Sequence, residues 1–526
     1  MNAMALETSN RRRSAKLLEM GSLKYFMGNN LNYVVRDFIT RSRQNTCRRR
    51  KMRPRAVTLI TLILFLWFLI VPGETAASEA FPLGILGGRG QVDPGSPLIS
   101  VLSIDPGSPA SLAGLKTGDQ LRGIDGIPFT DHSSSIDVGG LGPQRSLGEA
   151  LDECAARKSE QQRKITLDLL RDGDELTLEL VLPPRPGLEQ AAGRTLLVES
   201  CCQQLVKTQR PGGQWDSPVG LTGDRVLSAW AVVALLSADP HKYRDSIERG
   251  VGWLRGPDSN CWIHDDSLQK GPDNLGNWAI TSTVVALTEH WLATQDLLDP
   301  PVIERCCKAL SARMSDQGLF GHDVVPGYNN KGFNVINTLS HLAWAIGAEA
   351  GVTLDEDSWS KSLEQIRRSI DPNGGIRYWT MKGTGTGDAS LRTSSMALAL
   401  SISGREPQLA QQLGEYLAAH PSRMREAHAV GSLGMMLAPS ALWRLNRAGY
   451  SKFLEEWRWY LSLMHRPDRS VHYIGGKGNN GGDGYLGKHR IGCIIAILIL
   501  TPPAEKLGLH SDERKQKSKL KPVGDR

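Results

Sequence analysis

Two hydrophobic textures alternate between residues 193 and 500. One is an amphipathic helical period with a charged face, as in His241–Leu254 and Ser358–Ile370. The other is apolar or small on every side: Arg225–Ala238, Asn277–Ala293, Phe333–Ala348, Ala389–Ile402, Glu426–Trp443 and Lys488–Leu500. A helix with no polar face must be covered all round. Six such segments, each beside a half-exposed partner, predict an inner ring of helices within an outer one: an α6/α6 toroid over 193–502. An open solenoid is the competing arrangement, but it leaves inner helices bare at both ends and needs polar caps. A turn with glycine or polar residues, ending on an aromatic, marks the repeat at Trp215, Trp262, Phe320, Tyr378 and Tyr473. A degenerate unit fills the long last gap.

Residues 81–183 follow a different period. Lys164–Leu170 and Leu176–Leu182 alternate polar and apolar positions around an Asp-Gly turn, the pattern of a β-hairpin. Ser108, Pro109 and Gly114 are placed to cap, open and end a short helix. Ser146–Lys158 predicts an amphipathic helix with Leu147, Leu151 and Cys154 on one face. The chain is thus mainly α with a small α+β domain. The Pro-rich run 184–192 is expected to be a stiff linker.

Charge separates the ends from the rest. Residues 1–55 carry 14 Lys+Arg and 3 Asp+Glu, whereas residues 78–526 carry 48 and 51. The near-neutral remainder gives no footing for nucleic acid. The apolar run Ala56–Val71 follows a basic stretch and precedes small residues, so 56–77 is expected to be an export signal cleaved after Ala77, or an anchor in the inner membrane. Met52 opens a signal of ordinary length, which makes 1–51 an over-extended start or a cytoplasmic lead. The expected location is the periplasm or cell envelope, with membrane contact only through this segment. Residues 503–526 read as a solvated basic tail. Eight cysteines are too few for a disulfide scaffold of this length. The adjacent pairs Cys201-Cys202 and Cys306-Cys307 are read as buried thiols, with an inter-helix disulfide as the alternative.

The run Ile104–Phe129 resembles the core of a bacterial-type PDZ domain. That likeness implies a groove for a peptide or protein C-terminus, with Leu83, Gly84, Ile85 and Leu86 receiving the carboxylate and Leu147 and Leu151 forming the second wall. Gly and Pro in 87–95 make a poor edge strand there. The stamp Gln209-x-x-x-Gly213-x-Trp215 resembles the terpenoid cyclase and prenyltransferase superfamily, which implies the toroid. The cyclase motif D-x-D-D is missing: Asp355–Ser358 comes nearest, and Asp265–Gln269 does not complete D-D-x-x-D. The wall is read as poor in the aromatics that steady carbocations. The layout of signal, PDZ and toroid resembles a bacterial family of exported proteins, a likeness that implies no particular activity.

Candidate site residues cluster where loops lead into the inner helices, since helix N-termini favour anions. They are His264, Asp265 and Asp266; His322, Asp323, Tyr328 and Asn330; Arg377, Asp388 and Arg392; His472, Asp483, His489 and Arg490. Of these, His264, Asp265, His322, Asp323, Tyr328, Arg392 and His489 are the catalytic candidates. Asp483, His489 and Cys493 offer zinc-ligand types, though ordinary helix-start polarity explains them equally. His341 is read as a hydrogen-bonded core histidine. Gly476–Gly481 satisfies G-x-G-x-x-G without the strand such a loop needs. No cofactor is expected. The main reading is a peptide-binding module coupled to a toroid that takes a ligand or partner. The alternative is an enzyme acting on glycans, a lyase or hydrolase, with a glycan or anionic ligand at the mouth. An isoprenoid enzyme ranks below both.

Overall fold

In the computed structural model the chain divides into two units, Met1–Thr75 and Ala76–Arg526. The structure describes residues 80–92, 96–129, 142–218, 220–256, 276–323, 332–379, 389–425, 431–473, 486 and 488–511, all in the second unit. The expected export segment 56–77 and residues 512–526 of the expected basic tail 503–526 lie outside them, whereas residues 503–511 of that tail are not solvated but packed, with Leu507, Leu509 and His510 buried. Among the described residues one helix, Leu221–Ala238, is long and apolar enough to cross a bilayer, and it is buried in the protein.

The first part is an antiparallel sheet of β1 (Phe81–Pro82), β2 (Arg89–Val92), β3 (Ile99–Ser103), β4 (Gln120–Ile124), β5 (Ile127–Pro128), β6 (Lys164–Arg171) and β7 (Asp174–Val181). The order is β1-β2-β3-β4-β6-β7, with β5 paired to β4. Both Asp-Gly turns put two residues at positive φ: Asp125 and Gly126, then Asp172 and Gly173. Helix α1 (Pro109–Leu112) starts as expected, the Ser108 side chain accepting from the Ser111 N–H. Helix α2 (Pro143–Ala155) buries Leu147, Leu151 and Cys154. The stretch expected to pair poorly forms interior strand β2 instead. Gly90 is the reason: a Cβ there would lie 2.7 Å from Ile99 and 2.8 Å from Leu83.

The helical part matches the expected rings. The inner helices are α4 (Leu221–Ala238), α6 (Gly276–Thr294), α8 (Asn334–Gly347), α10 (Ser390–Ser403), α12 (Gly431–Leu445) and α14 (Lys488–Leu500). Each packs on the next, and α14 returns to α4, so the ring closes. The outer helices are α3 (Ala191–Thr208), α5 (Arg244–Arg255), α7 (Asp299–Arg313), α9 (Glu356–Arg367), α11 (Pro407–Ala419) and α13 (Arg447–Met464).

The glycine turns are the staples of this ring. Residues 210–214, 315–319, 371–375 and 466–470 share one pattern: the first residue's N–H donates to the last carbonyl, and the fourth's N–H to the first carbonyl. The fourth position has positive φ in Gly213, Gly318, Gly374 and Arg469. The next residue but one is Trp215, Phe320, Ile376 or Val471, each fully buried. The repeat register therefore falls on Ile376 and Val471, not on Tyr378 and Tyr473; Trp262 lies outside the described residues. The backbone N–H groups of Trp215, Phe320 and Ile376 donate to Ser228, Asn337 and Thr393 on the following inner helix. Gln209 donates to the Gly213 and Ser246 carbonyls, tying the turn to α5.

The far end of the ring is covered. Residues 501–511 cross it, burying Leu507, Leu509 and His510. Gly508 and Leu509 donate backbone N–H bonds to the fully buried Glu289 carboxylate at 2.8 Å each. Arg444 donates to the Gly508 carbonyl, Lys506 to that of Ala238, and Ser237 bonds Thr501.

Sheet and ring meet along α13. A Cβ on Gly148 would come within 2.6 Å of the Trp459 carbonyl, so α2 and α13 are in backbone contact. Arg145 pairs with Glu456 at 3.0 Å, Arg458 with Glu153 and Glu189, and Arg466 with Asp105. The expected linker is part of this seam. Arg185 is buried and donates to the His465 carbonyl and the Ser462 hydroxyl. Burial lowers its pKa to about 10, with Asp152 acting in the opposite sense.

Candidate functional site

The opposite end of the ring is where α6, α8 and α10 begin. The first turns of α6 and α8 each hold the loop that leads to the next inner helix, and the first turn of α10 holds the loop before it. Asn277 donates its side-chain N–H to the Gly321 and Asp323 carbonyls, and its backbone N–H to that of His322. Asn334 donates its side-chain N–H to the Arg377 carbonyl. Arg392 donates to the Ile376 carbonyl. This stitching brings distant residues together.

The result is an aromatic wall. The His322 ring stacks on Phe333 at 4.5 Å between centroids and lies 6.0 Å from Trp278. Phe333 meets Trp379 at 4.7 Å and Tyr378 at 5.5 Å, and the Arg392 guanidinium lies over the Tyr378 ring. Trp278 and Phe333 are buried, while His322, Tyr378 and Trp379 are half-buried. The Trp278 indole N–H donates to His322 Nδ1 at 2.8 Å. A neutral His322 therefore carries its proton on Nε2. The expectation of a wall poor in aromatics is corrected here; four of these rings sit in the first turns or in the loops just before them.

Unpaired polar atoms accompany the wall. Asn277 Oδ1, Asn334 Oδ1 and Asn337 Nδ2 are buried without a hydrogen-bond partner among the described residues. Such atoms cost about 1–3 kcal/mol each unless something completes them. The nearby cations are engaged: Arg313 is ion-paired with Asp323, Arg377 donates to the Arg368 and Ser369 carbonyls, and Arg392 is committed as above.

Of the expected site residues, His322 and Arg392 lie on the same wall, joined through the Phe333 and Tyr378 rings, and Asp323 beside His322 pairs with Arg313. Arg377 backs the same loop. His472 lies elsewhere, against Arg466, and Arg490 donates to the Asp216 carbonyl, tying α14 to the first turn. His264, Asp265, Asp266, Tyr328, Asn330, Asp388, Asp483 and the loop 476–481 fall outside the described residues, as does the His489 side chain. Among the described residues no group of three or more His, Cys, Asp or Glu is arranged to hold a metal. Cys493 is buried against the Cys201 thiol. Trp278, Phe333, Trp379 and the three asparagines were not singled out by sequence. Their one signal is Gly276-Asn277 and Gly332-Phe333-Asn334, an asparagine opening two inner helices.

Two other expectations change. His341 is buried edge-on to Trp359 and Trp344, but neither ring nitrogen has a partner among the described residues, and burial lowers its pKa to about 3. Asp355 is the N-cap of α9, accepting from the Ser358 N–H. The residues proposed for a peptide are all buried: Leu83, Gly84, Ile85, Leu86, Leu147 and Leu151. Gly84 abuts Ser462 and Leu463 of α13, and the Leu86 and Gly87 N–H groups bond within their own turn. The face offered to a peptide is thus covered by α13.

Several solved structures are similar. One is an inactive variant of the alpha-1,6-mannanase GH76A of Salegentibacter sp. HEL1_6 in complex with alpha-1,6-mannotriose, at 12% identity and a TM-score of 0.43, over 60% of this chain and 100% of that one. Another is a variant of the type II terpene cyclase MstE from Scytonema, at 11% and 0.39, over 59% and 98%. A third is the unsaturated glucuronyl hydrolase from Bacillus sp. GL1, at 12% and 0.41, over 61% and 97%. No curated protein matches the chain. Residues 196–510, more than half of the chain, match the model of a family described as a domain of unknown function (DUF6288), and the chain belongs to that family.

Proposed function

We propose that the protein binds a neutral, hydroxyl-rich glycan at the end of its ring where α6, α8 and α10 begin and acts on it there. The observation that carries this reading is the company of an aromatic wall with buried amide atoms that lack partners. Sugar rings present apolar C–H faces to aromatic rings, and their hydroxyls both donate and accept. Two lone acceptors, Asn277 Oδ1 and Asn334 Oδ1, want hydroxyl donors and repel carboxylates. The engaged arginines give an anion little to bind. His322, with its proton on Nε2, is the group best suited to hand a proton to a bound sugar oxygen.

The sheet module, which resembles a PDZ domain, serves in this reading as a fixed buttress of α13. An exported chain would meet such glycans in the cell envelope. The test is binding and turnover on a panel of neutral and uronic-acid oligosaccharides, with C-terminal peptides and prenyl phosphates as controls. Neutral oligosaccharides should raise the melting temperature, and Trp379→Ala and His322→Ala should abolish the rise. A response confined to peptides or prenyl phosphates would refute the proposal.

A further inference from the structure

The seam of the ring, where its last helix meets its first, holds an unused pair of thiols. Cys201 on α3 and Cys493 on α14 are fully buried where these two helices pack together, and the Cys493 thiol is among the groups that raise the Cys201 pKa. The two helices pack along much of their length. For Cys202, one residue on, the Tyr243 hydroxyl is the neighbour that partly offsets the effect of burial on its thiol. Other bonds reinforce the same seam: the Gln204 side chain exchanges two hydrogen bonds with the Val471 backbone, and Arg490 donates to the Asp216 carbonyl.

We propose that Cys201 and Cys493 become a disulfide when the chain folds in the presence of a disulfide donor, closing the ring covalently. One thiolate attacks the donor disulfide and expels a donor thiol. The second thiolate then attacks the mixed disulfide, forming the Cys201–Cys493 bond and releasing the second donor thiol. Both cysteine sulfurs are oxidised, the donor is reduced, and the two cysteine protons end on the donor thiols. The bond joins residues nearly 300 positions apart, the case in which a cross-link restricts the unfolded chain most (span from the residue numbers, ~300). It has to form before the seam closes. Burial raises the Cys201 thiol far above its ordinary range, and no described cysteine is exposed.

The full chain is refolded from urea with oxidised glutathione, and separately with a reducing agent. Free thiols are then alkylated in denaturant and peptides mapped by mass. The oxidised sample is expected to yield one linked Cys201–Cys493 peptide, lighter by two hydrogens, with both residues protected from alkylation. Its melting temperature should fall by roughly 5–10 °C on reduction. Cys201→Ser and Cys493→Ser should lose the linked peptide and the shift, and Cys202→Ser should keep both. Reduced, folded protein given the same oxidant should stay reduced. Full alkylation of Cys201 and Cys493 after oxidative refolding, or a linkage to Cys202, overturns the proposal. The alkylation readout stands even where a serine variant folds poorly.

Discussion

Replacing Glu289 tests how the ring is sealed at its far end. Its carboxylate is fully buried and accepts the N–H groups of Gly508 and Leu509 at 2.8 Å each. Glu289→Ala leaves two backbone donors buried and unmatched, at about 1–3 kcal/mol each. Removing a buried charge returns part of that cost, so the expected loss is about 2–4 kcal/mol. Glu289→Gln keeps one acceptor and turns an amide N–H toward the second donor, so it should lose about half as much. Urea unfolding followed by tryptophan fluorescence measures the loss, and limited proteolysis localises it. The alanine variant should be cut first within 501–511 while the rings stay intact. An alanine variant within about 0.5 kcal/mol of wild type, the scatter of ordinary surface changes, would refute the sealing role.

The staple turns predict a contrast between glycines. Gly213→Ala puts a Cβ 2.1 Å from the Arg249 carbonyl at φ 99°, whereas Gly351, at φ 83°, has nothing within 4 Å. The first should cost about 3 kcal/mol or more and the second about 1 kcal/mol by denaturant titration. Arg469 stands at φ 64° where three other turns have glycine; Arg469→Gly should therefore raise stability by about 0.5–1 kcal/mol. Burial lowers the pKa of both His341 and His465 to about 3. The unfolded chain then binds more protons, so stability is intact above about pH 6.5 and is lost as pH falls toward 3, at about 1.4 kcal/mol per unit per histidine. Urea midpoints at pH 7 and 5.5 measure the slope, and His341→Phe should flatten it.

Ring closure was legible because a helix with no polar face has one physical solution, and six of them restrict it further. The sheet was legible from its Asp-Gly turns and two-residue period. Strand β2 was misread because glycine weakens a strand in general; at Gly90 the close approach of Ile99 and Leu83 decides instead. The peptide face was misread for a different reason: local pattern shows that Leu147 and Leu151 are buried but not that Gly84 and Gly148 lie against α13, some 300 positions on. His341 was expected to find a partner, yet its helix packs it between Trp344 and Trp359. The aromatic wall joins residues 278, 322, 333 and 378–379, and no single-chain period links them. Only the stitching of the α6 and α8 first turns to the loops that follow them in the ring does so.

The most direct test of the functional claim is calorimetric titration of the intact chain with two oligosaccharides of equal length and linkage, one neutral and one carrying uronic-acid carboxylates. The aromatic wall and the lone amide acceptors predict tighter binding of the neutral chain, little change with salt, and loss of that binding in Trp379→Ala. Preference for the acidic chain, weakening as salt rises, would contradict the account.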